Sequence, residues 1–129
     1  MLDAEARSVP HTGERLKGKV AIVVGAGSLG PGLGNGKASA ILFARAGARA
    51  FAVDRNLDAV RETQAIIEGE SGDCVAFDAD ALSAAEVERM ARTCLDTFGR
   101  IDIVQNNVGS AAGHDGPVTL DEVAWDANV

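Results

Sequence analysis

KVAIVVGAGSLGPGLGNGK, from Lys19 to Lys37, joins a short apolar run to a glycine-rich loop and then to the start of a helical pattern. The run from Lys19 to Val24 is nearly all apolar and rich in β-branched residues, which is typical of a strand buried on both faces of a parallel sheet. Glycines after such a strand let a phosphate approach backbone N–H groups that a Cβ would shield. The stretch therefore predicts a strand, a phosphate-binding loop and a helix.

The same alternation continues along the chain. Further strands are predicted at Arg49 to Val53, closing on Asp54, at Cys74 to Phe77, ending at Asp78, and at Ile101 to Val104. Helices are predicted at Lys37 to Ala46, after a cap at Asn56, after a Ser83 and Glu86 capping box, and after a Thr119 and Glu122 capping box. Such alternation predicts an α/β, Rossmann-type doubly wound parallel sheet of about four strands. By analogy with the Rossmann order, the strands would lie in the order 3-2-1-4. We expect a flexible tail over 1–15 and a partial dinucleotide-binding domain over 16–129.

Composition and charge exclude several classes of partner. Nineteen acidic against twelve basic residues give a formal net charge of −7, which repels phosphate backbones and anionic lipids. The start of the chain has no signal-peptide pattern, and no apolar run approaches the ~20 residues that span a bilayer. We therefore expect a cytoplasmic protein without nucleic-acid or membrane partners.

The two cysteines do not form a recognisable site. Cys74 and Cys94 stand twenty positions apart, without a CxxC pair or clustered histidines. This spacing favours neither a metal site nor a disulfide framework. Two buried or half-buried thiols in a reducing compartment are expected instead.

An acidic residue at the end of the second predicted strand suggests a dinucleotide rather than a nucleoside triphosphate. Asp54 lies eighteen positions beyond Gly36, where a ribose-binding carboxylate belongs. A carboxylate accepts hydrogen bonds from both ribose hydroxyls but repels a 2′-phosphate, so Asp54 favours NAD over NADP, although the neighbouring Arg55 could partly screen that repulsion. A solvated surface aspartate is the other interpretation of this position.

A Walker A motif is excluded. Gly36 and Lys37 resemble its end, but its first glycine would fall on Pro31 and its magnesium-binding hydroxyl on Ala38.

Taken together, several stretches resemble the first half of a short-chain dehydrogenase/reductase. They are LKGKVAIVVGAGS, GNGKASAILFARAGARAFAVDRN, FDAD, FGRIDIVQNNVG and LDEVAWDANV, and they run from about Leu16 to Val129. The resemblance implies an oxidoreductase dependent on NAD, or less favourably NADP, that interconverts alcohols and ketones by hydride transfer. A small-molecule alcohol or ketone would be its substrate only in a longer form of the protein.

The resemblance also implies a cofactor site. Gly25, Ser28, Gly34 and Gly36, with Asn35 between the last two, would match the family's TGxxxGxG loop, and Asp54 its NAD-selecting acid. Asp78 with Ala79 would contact adenine, and Asn106 to Gly109 would match the NNAG element beside strand 4. For Asn107 a ligand contact and an amide that satisfies loop backbone remain equal alternatives.

The chain departs from the family pattern at three points. Val24 replaces a threonine whose hydroxyl usually ties the loop to strand 4. Leu29 to Leu33 are about five extra residues, stiffened by Pro31, that form either a flap near the cofactor or a plain surface bulge. The family's proton donor is the tyrosine of a YxxxK motif, preceded by a serine, and this sequence contains no tyrosine.

No catalytic residue is therefore assigned, and we expect a truncated domain that binds cofactor but lacks the catalytic Ser, Tyr and Lys. A non-catalytic nucleotide-binding module and a chain that completes another subunit's sheet are the alternatives. The fourth strand would be an exposed edge, which favours association into oligomers.

Overall fold

In the computed structural model of this protein, the described residues are 13–27 and 34–108, and they form one parallel sheet flanked by helices. The strands are β1 (Val20–Val24), β2 (Arg49–Asp54), β3 (Cys74–Asp78) and β4 (Ile103–Asn106). The helices are α1 (Asn35–Arg45), α2 (Leu57–Gly69) and α3 (Ala84–Phe98). The strand order is β3-β2-β1-β4, which confirms the predicted order 3-2-1-4 and the Rossmann-type α/β fold.

Some of the sequence predictions lie outside the described residues. These are the tail as far as residue 12, Ser28, the Leu29 to Leu33 extension, Gly109 and the final helix predicted near Thr119.

β1 lies at the centre of the sheet, because all its residues are buried and both its edges pair with neighbouring strands. Successive strand side chains face opposite sides of a sheet. On one side, Ile22 packs with Phe51 of β2 and with Met90 and Cys94 of α3. On the other side, Val23 belongs to a cluster that α1 and α2 complete. The nearly continuous apolar run of β1 thus reflects burial on both faces.

β4 begins two residues later than predicted, at Ile103 instead of Ile101. The reason is Asp102, whose backbone N–H donates to Val20 O at 3.0 Å while its carboxylate accepts the Val20 N–H at 2.9 Å. The aspartate thereby joins the beginnings of two strands and fixes the register in which Asn106 stands opposite Val24. The sequence pattern alone gave no weight to this polar residue inside an apolar run.

The predicted cap residues Asn56 and Ser83 both accept a backbone N–H from the first turn of their helix. Asn56 Oδ1 accepts the Ala59 N–H at 3.2 Å, and Ser83 Oγ accepts the Glu86 N–H at 3.4 Å. The capping box also predicts that the Glu86 carboxylate accepts the Ser83 N–H, and this prediction was wrong. The Ser83 N–H donates to the Asp80 carbonyl at 3.0 Å, so the Glu86 carboxylate reaches further back and accepts the Asp80 N–H at 3.3 Å.

Both cysteines are free and buried, on opposite sides of the sheet. Burial raises the pKa of Cys74 to about 12 and that of Cys94 to about 11. Within 13–27 and 34–108, no group of His, Cys, Asp and Glu side chains could hold a metal ion. No helix in this part of the chain has the length and apolarity needed to cross a membrane.

The ion pair at the start of β4 predicts a specific response to acid. The Arg100 guanidinium, 2.6 Å from Asp102 Oδ1, and the Val20 N–H hold the pKa of Asp102 below its usual value. Its contribution to stability is fully present above about pH 4, the ordinary pKa of an unfolded aspartate, and is lost as the pH falls through the lower folded-state pKa. Asp102→Asn should therefore lower the free energy of unfolding at neutral pH and flatten its decline in acid.

Urea denaturation of both proteins at neutral pH and at about pH 3 measures this difference. Asp96→Asn removes an exposed carboxylate from α3 and serves as the control. Parallel declines for wild type and Asp102→Asn would contradict the prediction.

Candidate functional site

The carboxyl ends of the four strands bring most of the predicted site residues to one edge of the sheet. Val24 pairs in register with Val53 of β2 and with Asn106 of β4. Asp54 pairs in register with Asp78. In open α/β sheets, ligands bind at this edge, where neighbouring connections leave the sheet in opposite directions.

A glycine turn follows β1 at the centre of this edge. Gly25 has a φ of +85°, a conformation that favours glycine, and the N–H groups of Gly25 and Ala26 both donate to Val53 O, at 2.8 and 2.9 Å. A Cβ on Gly25 would lie 2.7 Å from the carbonyl oxygen of Asn107. The turn therefore packs directly against the segment that follows β4, and a side chain does not fit there.

Gly36 brings the first turn of α1 onto the same glycine turn. A Cβ on Gly36 would lie only 1.8 Å from Gly25 O and 3.2 Å from Asn107 Nδ2. The backbone N–H of Asn107 donates to Val24 O at 2.8 Å. Asn107 thus holds the end of β4 against β1 with its backbone, while its side-chain amide lies beside the start of α1.

The N-terminus of α1 differs from those of the other two described helices. Its capping position is Gly34, which has no side chain to accept a hydrogen bond, and its first turn contains no acidic residue. α2 and α3 are capped by Asn56 and Ser83, and each has an acidic residue in its first turn. Because helix N-termini expose N–H groups and the positive end of the dipole, the start of α1 is suited to an anion.

Asp54 links the glycine turn to the start of α2. Its Oδ2 accepts the Gly27 N–H at 3.0 Å and its Oδ1 accepts the Asn56 N–H at 3.0 Å. A carboxylate has about four lone-pair sites, so each oxygen can accept one further hydrogen bond from a ligand. A Cβ on Gly27 would lie 2.7 Å from Ala59 Cβ, which requires glycine here. Asp54 is therefore fixed in orientation.

At the next strand, Asp78 is exposed and Ala79 is buried. The Ala79 N–H donates to Asp54 O at 3.2 Å and extends the β2–β3 ladder. The Asp78 carbonyl accepts a hydrogen bond from Arg89 Nη2 of α3 at 2.7 Å. Within this pair, only Asp78 presents a side chain that a polar ligand could reach.

Sequence reasoning missed three buried or half-buried polar contacts around the turn. Thr63 Oγ1 donates to Ala26 O at 2.8 Å from a fully buried position in α2. Gln105 Nε2 donates to Ser39 Oγ at 2.7 Å and so joins β4 to α1. This contact connects strand 4 to the helix after the loop in a chain where Val24 replaces the family's threonine. Lys37 is nearly buried, with Nζ 3.9 Å from Glu62 Oε2.

Of these three contacts, only Thr63 had a sequence signal. It lies three residues after Val60, at helical spacing on the apolar face of α2.

Comparison with known proteins identifies a matching family and several relatives. A family model described as short chain dehydrogenase matches residues 19–129. D-threitol dehydrogenase of Mycolicibacterium smegmatis is 41% identical over 97 residues, which are 75% of this chain and 35% of that protein. The 7alpha-hydroxysteroid dehydrogenase of Escherichia coli K12 is 38% identical over 95 residues, 74% of this chain and 35% of that protein.

Solved structures agree. A Burkholderia xenovorans crystal structure assigned to the short-chain dehydrogenase/reductases superposes with a TM-score of 0.80 at 42% identity, covering 91% of this chain and 46% of that one. The hydroxysteroid dehydrogenase of Escherichia coli gives a TM-score of 0.70 at 33% identity. The match covers 35% of the two curated relatives described above and less than half of the Burkholderia xenovorans structure.

The contact between Gly36 and Gly25 predicts a large difference between two glycine substitutions. Gly36→Ala should lower the free energy of unfolding by at least about 2 kcal/mol, because its Cβ would meet backbone that cannot rotate away. Gly69→Ala is the matched control, since a Cβ at the end of α2 meets nothing within 4 Å. It should leave stability unchanged or raise it by up to about 1 kcal/mol. Equal urea midpoints for the two variants would show that the close approach is wrong.

Proposed function

Because this chain belongs to the short-chain dehydrogenase family, we propose that it is the cofactor-binding half of an NAD(P)-dependent oxidoreductase that interconverts alcohols and ketones. The bound dinucleotide would supply the hydride acceptor or donor, and the residues of this chain would bind and orient it. The observation that carries this proposal is the glycine turn packed against a helix N-terminus without an acidic residue in its first turn, with a fixed carboxylate bound to the same turn.

The start of α1 suits the pyrophosphate of such a cofactor. The side chain of its capping residue accepts no hydrogen bond, because that residue is Gly34, and its first turn contains no acidic residue that would repel an anion. Ser28, Asn35, Asn106 and Gly109 are proposed as further contacts on the family pattern. Ser28 and Gly109 remain sequence predictions because both lie outside the described residues.

Asp54 is proposed to bind the adenosine ribose and to select NAD over NADP. Its carboxylate is held by the Gly27 and Asn56 N–H groups, so it cannot turn aside to accommodate a 2′-phosphate without losing both hydrogen bonds. Arg55, the next residue, is exposed, so water and salt screen its attraction for a 2′-phosphate. The preference for NAD therefore rests on the fixed carboxylate.

Adenine recognition is proposed to rest on Asp78 rather than on both Asp78 and Ala79. The Ala79 N–H already donates to Asp54 O at 3.2 Å, so its use by a ligand would compete with the sheet. The Asp78 carboxylate can accept from the 6-amino group of adenine, and the buried Ala79 contributes apolar surface beside it.

Proton transfer is proposed to come from residues outside these 129, because the sequence contains no tyrosine to fill the family's YxxxK position. A chain that completes another subunit's sheet is the second candidate. It is favoured by the half-exposed edge strand β4, on which Val104 is 60% exposed. We also propose a cytoplasmic location, supported by two free, buried thiols.

The cofactor preference can be measured by calorimetric titration of the chain with NAD and with NADP. We expect NAD to bind more tightly, and Asp54→Asn to reduce the NAD-over-NADP ratio by at least about tenfold because it removes the charge that opposes the 2′-phosphate. Asp73→Asn removes an equal charge at the opposite end of β3 and should keep the wild-type ratio. Binding of neither dinucleotide to the wild-type chain would overturn the proposed function.

An assay for reduction of NAD distinguishes a chain that only binds the cofactor from a complete enzyme. We expect the 129-residue chain to bind NAD without reducing it when simple secondary alcohols are supplied, because no positioned proton acceptor of the family type is present. The absorbance of reduced nicotinamide follows the reaction, and a short-chain dehydrogenase with an intact YxxxK motif is the positive control. Formation of reduced nicotinamide by the chain alone would refute the assignment of catalysis to other residues.

A further inference from the structure

The backbone that follows β3 is held on both sides of Ala79 by two charged side chains of α3. Arg89 Nη2 donates to Asp78 O at 2.7 Å, and Glu86 Oε2 accepts the Asp80 N–H at 3.3 Å. The two side chains also bind each other, with Arg89 Nη2 3.3 Å from Glu86 Oε1. We refer to these two residues as the Arg89–Glu86 pair.

The orientation of Arg89 is set by an aromatic ring as well as by hydrogen bonds. Its guanidinium lies over Phe77, 4.4 Å from the ring centroid, and Phe77 in turn packs on the fully buried Phe51 at 5.2 Å. The Arg89 side chain is 48% exposed, so its charge alone would contribute little to stability. Stacking on the ring and the hydrogen bond to Asp78 O confine it instead to one geometry.

The Glu86 carboxylate can accept the Asp80 N–H because it does not bind the Ser83 N–H. The Ser83 N–H, which a capping box would give to Glu86, donates instead to Asp80 O at 3.0 Å. Asp80 Oδ1 accepts the Leu82 N–H at 2.9 Å, which closes the turn before α3. Its N–H, carbonyl and carboxylate are thus all engaged, and the turn cannot shift without breaking several hydrogen bonds.

We propose that Arg89 and Glu86 are positioning residues for adenine, which hold the backbone from Asp78 to Asp80 so that the Asp78 carboxylate meets the 6-amino group of the base. This inference rests on the proposed function, because it assumes that an adenine dinucleotide binds at this edge. Neither side chain needs to touch the ligand. Each acts through the Asp78 carbonyl or the Asp80 N–H.

Placement of the Asp78 carboxylate has a measurable consequence in the choice of base. Adenine carries a donor at position 6, whereas hypoxanthine carries a carbonyl oxygen there, which a carboxylate repels. A fixed Asp78 therefore discriminates between the bases, and a displaced one discriminates less. The ratio of the dissociation constants of nicotinamide hypoxanthine dinucleotide and NAD reports the position of the carboxylate and is insensitive to global stability while the protein is folded.

The experiment measures this ratio by calorimetric titration of the full chain. The wild type should favour NAD by about tenfold or more, as expected for a hydrogen bond to a charged group. Arg89→Ala should reduce the preference to within about threefold, and Arg89→Lys should restore part of it, because an ammonium can still donate to Asp78 O. Arg92→Ala is the matched control, since Arg92 pairs with Glu88 on the same helix without contacting the Asp78 to Asp80 backbone, and it should keep the wild-type ratio.

A measurement without ligand covers the case in which Arg89→Ala folds poorly. In Glu86→Ala, hydrogen exchange at the Asp80 N–H should be faster than in wild type because its acceptor is lost, whereas exchange at the central β1 amides should be unchanged. Unchanged exchange at Asp80 in Glu86→Ala would overturn the inference.

The outcomes separate the two proposals. A wild type that binds neither dinucleotide would overturn both. A wild type that binds NAD with no preference over the hypoxanthine analogue, or an Arg89→Ala variant that keeps the full preference, would overturn only the positioning role.

Discussion

The close approach of Gly36 to the carbonyl of Gly25 is the constraint on which the ligand edge of this protein depends. No side chain fits between the first turn of α1 and the turn after β1, where an added Cβ would lie 1.8 Å from an oxygen atom. Val53 O of β2 accepts hydrogen bonds from the two N–H groups of this turn, at Gly25 and Ala26. The Asn107 N–H, which follows β4, donates to Val24 O immediately before the turn. Three strand ends and one helix start are therefore fixed relative to each other by backbone atoms, and side chains add detail to an arrangement already set.

Local patterns explain why so much of this arrangement could be predicted. Apolar runs, cap residues and glycine spacing each act within a few residues, and they were enough to predict the alternation of strands and helices and to place the glycine loop and Asp54 at strand ends. The strand order was predicted by analogy with the Rossmann order, and the role of Asp78 from the family resemblance. Other features depend on partners that only the folded chain brings together. Gln105 and Ser39 are 66 positions apart, and the start of β4 is set by hydrogen bonds between Asp102 and Val20.

Electrostatics at this edge depends on fixed backbone groups more than on basic side chains. Lys37 lies in the first turn of α1, but it is nearly buried and its ammonium faces Glu62. Asp54 adds negative charge, and the whole chain carries −7. In the proposed function, the pyrophosphate would therefore be held chiefly by the N–H groups and dipole of α1. Such donors are already ordered by the helix, so binding does not require a long side chain to lose its conformational freedom.

The residues of the site also differ in how far binding can be separated from folding. The Asp54 carboxylate holds the glycine turn through the Gly27 N–H, so replacing Asp54 disturbs the structure together with any ligand contact. In the Arg89–Glu86 pair, Glu86 binds the turn after β3, and Arg89 stacks on Phe77, which packs against the buried cluster on that side of the sheet. A base preference that falls in Arg89→Ala and is kept in Arg92→Ala therefore reports the placement of the Asp78 carboxylate, because both variants lose an arginine of the same helix and only Arg89 binds the Asp78 carbonyl.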